Sequence, residues 1–250
     1  MKLLLTIAYV GCDFHGFQYQ PGLRTVQGTL QKILESFYKE ELLLTGCSRT
    51  DAGVHANNFC LTIEGKLFES MPPEKLPIAV APFLPADLSI LSAKVVPNDF
   101  HPRYDVDYKE YVYLIENSSV HSPFLSGRAW QYPQKLDVEK MNSAARYIIG
   151  EHDFKCFMAA GSPVNSTVRD VRYLMVERQE NNVVKIRIAA NGFLYNMVRI
   201  ISGTLVAVSE GRILPEEIKD IIESGDRTRS GMTLPPDGLY LNRVVYKQQT

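Results

Sequence analysis

The chain reads Cys47-Ser48-Arg49-Thr50-Asp51-Ala52-Gly53-Val54-His55-Ala56 in its first quarter, which places one carboxylate between a nearby base and a turn-forming glycine. Arg49 lies on the same side as Asp51 if the segment is extended, and a cation there favours the ionised carboxylate and lowers its pKa. Gly53 permits a sharp chain reversal directly afterwards. Because Asp-Ala-Gly is also ordinary turn chemistry, the stretch by itself leaves a catalytic and a purely structural Asp51 both open.

Strand and helix patterns on both sides of this loop predict an α+β fold. The first half is predicted to contain a strand over 2–9, a helix over 26–39 behind the N-cap residue Thr25, two strands flanking the Asp51 loop, a helix over 74–83 and a strand over 88–96. The second half is predicted to contain strands near 109–116, 128–132, 168–178, 183–190 and 239–246, with helices near 138–149, 194–209 and 216–223. Because the strands follow one another too closely for obligatory βαβ crossovers, we expect helices packed on an antiparallel sheet.

The composition limits the class of protein. With 250 residues and 45% hydrophobic content the chain can bury a sizeable core. No apolar run approaches the roughly 20 residues that cross a bilayer, so we expect no membrane span. The four cysteines lack the paired spacing of a disulfide scaffold or zinc site, and Cys12-x-x-His15 has no second ligand pair. These patterns predict reduced thiols, a cytoplasmic location, and neither a metal nor a cofactor.

The charge balance does not predict an overall basic footprint for nucleic acid. The formal net charge is −1, whereas nucleic-acid binding usually draws on a basic footprint and counterion release. A protein of this composition that binds RNA must therefore gather its cations locally. The candidates for such contacts are Arg24, Arg49, Arg103, Arg169, Arg172, Arg199, Arg227 and Arg229.

One arginine in the predicted helix 194–209 lies on an unexpectedly apolar face. The main apolar stripe of this helix consists of Leu194, Met197, Val198, Ile201, Leu205 and Val208. Arg199 lies about 140° around the helix from Leu194 and is surrounded by small and apolar residues. A partly buried guanidinium needs an anion, and Asp51 is the anion that we predict. A snorkelling arginine or a purely structural ion pair remains the alternative.

The stretch from Arg49 to Ala56 resembles, letter for letter, the active-site loop of the TruA-type tRNA pseudouridine synthases. The likeness continues along the chain in the family's order at Tyr9, Gly11, Phe14, Gly16 and Gln18, at Arg24-Thr25-Val26-Gln27, at Asp99-Phe100-His101-Pro102-Arg103, at Tyr111 and Tyr113, at Asn191-Gly192-Phe193, at Met197-Val198-Arg199, and at Gly238-Leu239-Tyr240-Leu241. Two departures lie between the matched positions. Gly192 stands where many relatives carry alanine, and Tyr195-Asn196 stand where some carry histidines.

The resemblance implies a fold and an activity. The expected fold has two RRM-like, or ferredoxin-like, halves over residues 1–105 and 106–250, which form a continuous, mainly antiparallel sheet with the active-site cleft between them. The expected activity is isomerisation of uridine to pseudouridine at positions 38, 39 and 40 of the tRNA anticodon stem-loop, without a cofactor. Relatives act on tRNA as homodimers.

The resemblance also assigns roles to individual residues. Asp51 is the expected catalytic residue, which either attacks the sugar or removes its 2′ proton, and Arg199 is expected to pair with it. Tyr111 matches a tyrosine that stacks on uracil and is a candidate base for the C5 proton. Arg49, Arg24 and Arg103 are candidates for holding tRNA, because charge-assisted contacts to phosphate compensate for flipping a nucleotide out of a stem.

Other interpretations stay open at this point. An RRM-like module that binds RNA without chemistry would need only the strands and interleaved aromatic residues, and Tyr111-Val112-Tyr113 is also ordinary strand packing. A nucleotide-binding loop is excluded because Gly11 to Gly16 is followed by Phe17-Gln18 and not by lysine. Within the family, larger relatives modify other tRNA or small nuclear RNA sites, and the compact chain favours the bacterial type.

Overall fold

The computed structural model describes residues 1–66, 71–161 and 164–247. The strands are β1 Lys2–Tyr9, β2 Leu43–Gly46, β3 His55–Glu64, β4 Leu88–Val96, β5 Val106–Glu116, β6 Trp130–Gln131, β7 Gly150–Asp153, β8 Val168–Arg178, β9 Val183–Ala190 and β10 Leu239–Tyr246. The α-helices are α1 Val26–Tyr38, α2 Leu76–Val80, α3 Val138–Ala145, α4 Met197–Ser209 and α5 Glu217–Ser224. Within the described ranges, no helix combines the length and apolar character that crossing a membrane requires.

The chain divides into two compact units, the first made of residues 1–107 with the segment from Tyr240 onward, and the second of residues 108–239. The last strand therefore belongs mostly to the first unit, whereas the sequence placed all of 106–250 in one half. Strand β10 runs parallel to β3, with Tyr240 opposite His55.

In the first unit the strands lie in the order β4-β1-β3-β10, and β2 pairs with the other end of β3. The central pairs are antiparallel, with Leu5 opposite Leu61 on β3 and opposite Ala93 on β4. Helix α1 begins at the predicted place because the hydroxyl of Thr25 accepts a hydrogen bond from the amide of Gly28 at 3.2 Å. The apolar faces of these elements enclose a core in which Leu5, Leu61 and Phe59 are fully buried.

In the second unit the strands lie in the order β5-β9-β8-β7, and the short β6 pairs with β5. The β5–β9 and β8–β9 pairs are antiparallel, with Tyr111 opposite Ile188 and Tyr113 opposite Ile186. Helix α4 is buried along nearly its whole length. Both units thus mix helices with mainly antiparallel strands, which confirms the predicted α+β class.

Several predicted elements differ from the observed ones at their ends. Helix α4 begins at Met197 and not at Leu194, because Asn196 adopts a left-handed conformation with φ 59° and starts the helix there. Helix α2 is short, with Pro77 in its first turn, and it lies between 3-10 turns over 73–75 and 81–83 that contain Pro73 and Pro82. Helix α3 ends at Ala145, short of the predicted 149, and the predicted strand over 128–132 is confined to β6.

Strand β7 has no counterpart in the sequence prediction. Its residues Gly-Glu-His-Asp show no alternation of apolar and polar side chains. It exists because it pairs with β8, where Gly150 lies opposite Val171 and Asp153 opposite Val168. A strand of this kind is specified by its neighbour and not by its own pattern.

Candidate active site

Asp51 lies in the loop between β2 and β3, and its side chain is half-buried. The amide of Val54 donates to the carbonyl oxygen of Asp51 at 3.2 Å, which closes a turn. Gly53 in this turn has φ 80°, a left-handed conformation that glycine adopts without a steric penalty. The chain reversal that the sequence predicts after Asp51 is therefore present.

The turn that follows β1 packs against both ends of this loop. A Cβ on Gly16 would lie 2.6 Å from the carbonyl oxygen of Thr50, and a Cβ on Gly11 would lie 2.1 Å from that of Val54. Both distances are shorter than any side chain permits, so only glycine allows the two backbones to come this close. The two glycines of this turn therefore fix the position of the residues on either side of Asp51.

Backbone hydrogen bonds join the same two segments. The amide of Phe17 donates to the carbonyl of Thr50 at 3.1 Å, and the amide of Gly53 donates to the carbonyl of Phe14 at 3.3 Å. The Tyr9 hydroxyl lies 2.8 Å from the Thr50 hydroxyl, in a buried contact. Asp51 is thus carried on a loop whose backbone is held by the turn between β1 and α1.

His55 holds this arrangement from the other side, a role that no pattern in the sequence predicts. Its side chain is 1% exposed, and its Nδ1 accepts a hydrogen bond from the amide of Gly11 at 3.0 Å. Its ring stacks on that of Tyr240, with 4.5 Å between centroids and 18° between planes. The only sequence signal for His55 is its place near the end of the stretch 47–56. A histidine at the start of a strand does not reveal which group it will contact.

Arg24 is exposed, but its guanidinium is already paired with a carboxylate. Its guanidinium makes two bonds of 2.8 Å to the carboxylate of Asp87, and it lies 4.0 Å from the centre of the Phe14 ring. The hydrogen bond and charge of Asp87 raise the pKa of Arg24 above its ordinary value. Arg24 therefore packs over the turn that contacts the Asp51 loop, and any phosphate would have to displace Asp87.

Arg49 and Arg103 are both exposed on the first unit. Arg103 lies in a tight turn in which the amide of His101 donates to the Asp105 carboxylate at 2.8 Å and the amide of Arg103 donates to His101 Nδ1 at 3.1 Å. The guanidinium of Arg103 lies 5.8 Å from the centre of the Tyr104 ring. Within the described part of the chain, neither side chain makes an ion pair of the kind that joins Arg24 to Asp87, so both can reach a ligand in solvent.

Arg199 lies on α4 in the second unit and is half-buried. Its Nε donates to the carbonyl of Leu234 at 2.6 Å, and its NH1 donates to Oδ1 of Asn196 at 2.7 Å. Both acceptors are neutral oxygens of the same unit. These two bonds orient the guanidinium, and its pairing with Asp51 stays a prediction.

The two tyrosines of β5 differ in their surroundings. Tyr113 is fully buried, donates its hydroxyl proton to the carbonyl of Pro235 at 2.7 Å, and has a raised pKa because of burial, which the charge of Arg199 opposes. Tyr111 is 7% exposed, and its ring meets that of Phe193 edge to face with 5.0 Å between centroids. Both tyrosines are thus buried, Tyr113 completely and Tyr111 with a small part of its surface exposed.

The remaining candidate arginines contact their own unit. Arg169 donates to the carbonyls of Ser166 and Val168, and burial lowers its pKa. Arg172 lies 4.5 Å from the centre of the Tyr108 ring. Arg227 donates to the carbonyl of Gly231 and the hydroxyl of Thr233, and Arg229 donates to the carbonyl of Asp220. These contacts give each of the four a structural role.

The predicted site residues therefore fall into two sets. Asp51, Arg49, Arg24 and Arg103 belong to the first unit, and Arg199 and Tyr111 belong to the second. Among the residues that the structure describes, no group of three or more His, Cys, Asp or Glu side chains is placed to hold a metal ion.

The amino-acid chain is similar to one family of known proteins. A family model described as tRNA pseudouridine synthase matches residues 5–105 and 144–247, which include the Asp51 loop and Arg199. Proteins named tRNA pseudouridine synthase A match nearly the whole chain. The protein of Thermoanaerobacter sp. (strain X514) is 44% identical over 245 residues, covering 98% of this chain and 99% of its own length.

Two further relatives with the same name show similar coverage. The protein of Caldicellulosiruptor bescii is 46% identical over 245 residues, covering 98% of this chain and 99% of its own length. The protein of Bacillus pumilus is 40% identical over 248 residues, again covering 98% of this chain and 99% of its own length. Because these matches run through residues 106–143, they extend to Tyr111, which lies outside the segments matched by the family model.

Proposed function

The chain belongs to the tRNA pseudouridine synthase family, and on that premise we propose that it modifies uridines 38, 39 and 40 of the tRNA anticodon stem-loop with Asp51 as the catalytic carboxylate. As a member of this family it is an RNA uridine isomerase that acts on tRNA. The observation that carries the role of Asp51 is the loop itself, since its backbone is held by Gly11, Gly16 and His55 on both sides of one half-buried carboxylate. Such pre-positioning is what a reacting group requires.

The reaction needs no net oxidation and no external group. The bond between N1 of uracil and C1′ of the ribose breaks, a bond between C5 and C1′ forms, C5 loses a proton and N1 gains one. A carboxylate, a pocket that holds the base and a proton acceptor are sufficient for these changes. Asp51 supplies the carboxylate, either by attack on the sugar or by removal of its 2′ proton.

Arg199 and Tyr111 are the second unit's contributions to the proposed site. Arg199 presents a guanidinium whose orientation is set by Asn196 and Leu234, and a cation beside Asp51 would keep the carboxylate ionised at neutral pH. Tyr111 offers an aromatic ring on which uracil can stack, and its hydroxyl is the proposed acceptor for the C5 proton. The contact between Tyr111 and Phe193 limits the movement of this ring.

Exposed arginines of the first unit are the proposed contacts to the RNA backbone. Arg49 lies two residues from Asp51, and Arg103 lies in the turn before β5. Charge-assisted contacts of this kind offset the few kcal/mol that flipping a nucleotide out of its stem costs. Arg24 contributes only when a phosphate replaces Asp87, so we expect its contribution to be the smallest of the three. We further propose a cytoplasmic homodimer, as the family resemblance implies.

The variant Asp51→Asn tests the role of the carboxylate. We expect it to abolish tritium release from 5-tritiated uridine in tRNA while tRNA binding is largely retained, because the amide keeps the shape but neither attacks nor accepts a proton. Asp13→Asn, the same change at an exposed aspartate of the opening turn, is the matched control and should keep its activity. Full activity of Asp51→Asn would reject the assignment.

The target uridines require a separate experiment. We expect tRNA from cells that lack this protein to lose pseudouridine at positions 38, 39 and 40, and to regain it when the protein is restored. Loss of pseudouridine at other positions only would contradict the proposed target while leaving the catalytic role of Asp51 intact.

A further inference from the structure

An open pocket of about 380 Å³ lies on the second unit, where β5 and β8 end. Its lining includes the cationic side chains of Lys135 and Arg178 together with the polar residues Asn117, Ser118, Ser119 and Asn182. None of the described residues that line it carries a carboxylate. The pocket therefore combines positive charge with hydrogen-bond donors, the chemistry that recognises phosphate.

Arg178 is held in place by a buried framework. Its NH2 donates to Oδ1 of Asn117 at 3.0 Å and to the carbonyl of Leu136 at 2.9 Å. Asn117 is 8% exposed, and its own amide donates to the carbonyls of Tyr132 and Gln134 at 3.0 and 2.6 Å. Because all these acceptors are neutral, the bonds orient the guanidinium without neutralising its charge.

Two acidic residues directly adjoin the pocket lining in sequence, Glu116 and Glu177. Glu177 lies opposite Lys185 on β9, and Glu116 is engaged elsewhere. Glu116 is 2% exposed, and its carboxylate lies 2.9 Å from Nδ1 of His121 and accepts from the amide of Ser122 at 2.5 Å. The hydroxyl oxygen of Ser118 accepts from the amide of Val120 at 3.2 Å, so its proton is available to a ligand. The side chain of Lys135 is exposed.

We propose that this pocket binds a phosphate of the tRNA backbone, an inference that rests on the tRNA substrate of the proposed function. The pocket begins one residue beyond the end of β5, and Glu116 at that end is five residues from Tyr111, about 17 Å at the rise of a strand. It is therefore a second contact point on the same unit, away from the reacting uridine. A phosphate contact here positions the tRNA and reads no base.

The test is the salt dependence of tRNA binding by the full-length protein. We expect Arg178→Gln and Lys135→Gln each to weaken binding of an unmodified tRNA transcript severalfold at low salt, and to lower the slope of log Kd against log salt by about 0.7 to 1. Lys219→Gln removes the same charge from α5, where Lys219 faces Glu223 at 3.8 Å, and should leave the slope unchanged. If Arg178→Gln and Lys135→Gln show the same slope of log Kd against log salt as Lys219→Gln, the proposal is overturned.

Two further measurements separate the loss of a phosphate contact from a loss of folding stability and from a loss of catalysis. Arg178→Gln removes bonds to Asn117 and Leu136, so its thermal unfolding must be compared with that of Lys135→Gln, in which no such framework bond is lost. Lys135→Gln should raise the KM for tRNA, whereas Asp51→Asn should lose turnover and keep the parental salt slope. The two proposals therefore fail independently.

Inorganic phosphate distinguishes the source of the ligand. If the pocket serves a free phosphate ion, then inorganic phosphate will raise the unfolding temperature of the parent but not of Arg178→Gln, and the salt slope for tRNA will be the same in both. That outcome would overturn the assignment to tRNA. A changed tRNA slope in both pocket variants supports it.

Discussion

The backbone amide of Gly11 donates to Nδ1 of His55 over 3.0 Å, which ties the turn after β1 to the first residue of the strand that follows Asp51. The same turn meets the carbonyl oxygen of Val54 so closely that residue 11 has no space for a Cβ. The loop that carries Asp51 is thus positioned by residues distant in sequence, and not only by its own turn.

The first prediction concerns His55. Asparagine places an amide oxygen near the position of Nδ1 and can still accept from Gly11, whereas phenylalanine keeps a ring to stack on Tyr240 but accepts nothing. We expect His55→Phe to lower kcat at saturating tRNA at least tenfold and to cost about 1–3 kcal/mol of unfolding free energy, because a buried amide loses its acceptor. His55→Asn should retain more of both, measured by tritium release and by denaturant unfolding. Equal kcat values for the two variants would show that the hydrogen bond does not position the loop.

The second prediction concerns Gly11. In Gly11→Ala the new methyl group would lie 2.1 Å from the Val54 carbonyl oxygen, so one backbone must move. We expect a loss of about 1–3 kcal/mol in unfolding free energy and a marked loss of turnover. Gly192→Ala is the control, since the nearest atom that its methyl group would meet belongs to the flexible Arg169 side chain, at 3.4 Å. Wild-type turnover in Gly11→Ala would mean that the loop tolerates displacement.

The third prediction concerns Arg199. Lysine keeps the charge but cannot make both the bond to Leu234 and the bond to Asn196, because it lacks the planar fork. We expect Arg199→Lys to reduce kcat by at least tenfold with a smaller effect on KM. If Arg199 pairs with Asp51, the losses of unfolding free energy caused by Arg199→Lys and by Asp51→Asn will be less than additive in the double variant. Additive losses in this double-mutant cycle would contradict the predicted pairing.

The fourth prediction concerns Tyr111. Tyr111→Phe keeps the ring that contacts Phe193 and removes only the hydroxyl, so a base role predicts slower release of the C5 proton with little change in tRNA affinity. Tyr113→Phe is the matched control, because it loses the bond to the Pro235 carbonyl and should affect unfolding more than turnover. Unchanged turnover in Tyr111→Phe would limit Tyr111 to stacking.

The sequence alone determined the fold class, most of the strands and helices, and the loop that carries Asp51. These features depend on local periodicity, capping and turn residues, such as the spacing behind Thr25 and the glycine after Asp51, and local rules act within a few residues. The resemblance to the family rests on the same loop and on the other motifs along the chain.

Only the tertiary structure decided which partners these residues meet. Arg24 pairs with Asp87, Arg199 donates to Leu234 and Asn196, and the Gly11 amide donates to His55. Helix α4 begins at Met197, directly after Asn196, which adopts a left-handed conformation. Most of these contacts join residues far apart along the chain, and short-range patterns carry no information about which distant group will satisfy a charge or a backbone amide. The candidate site residues could therefore be identified from the sequence, while their positions depended on how the chain packs.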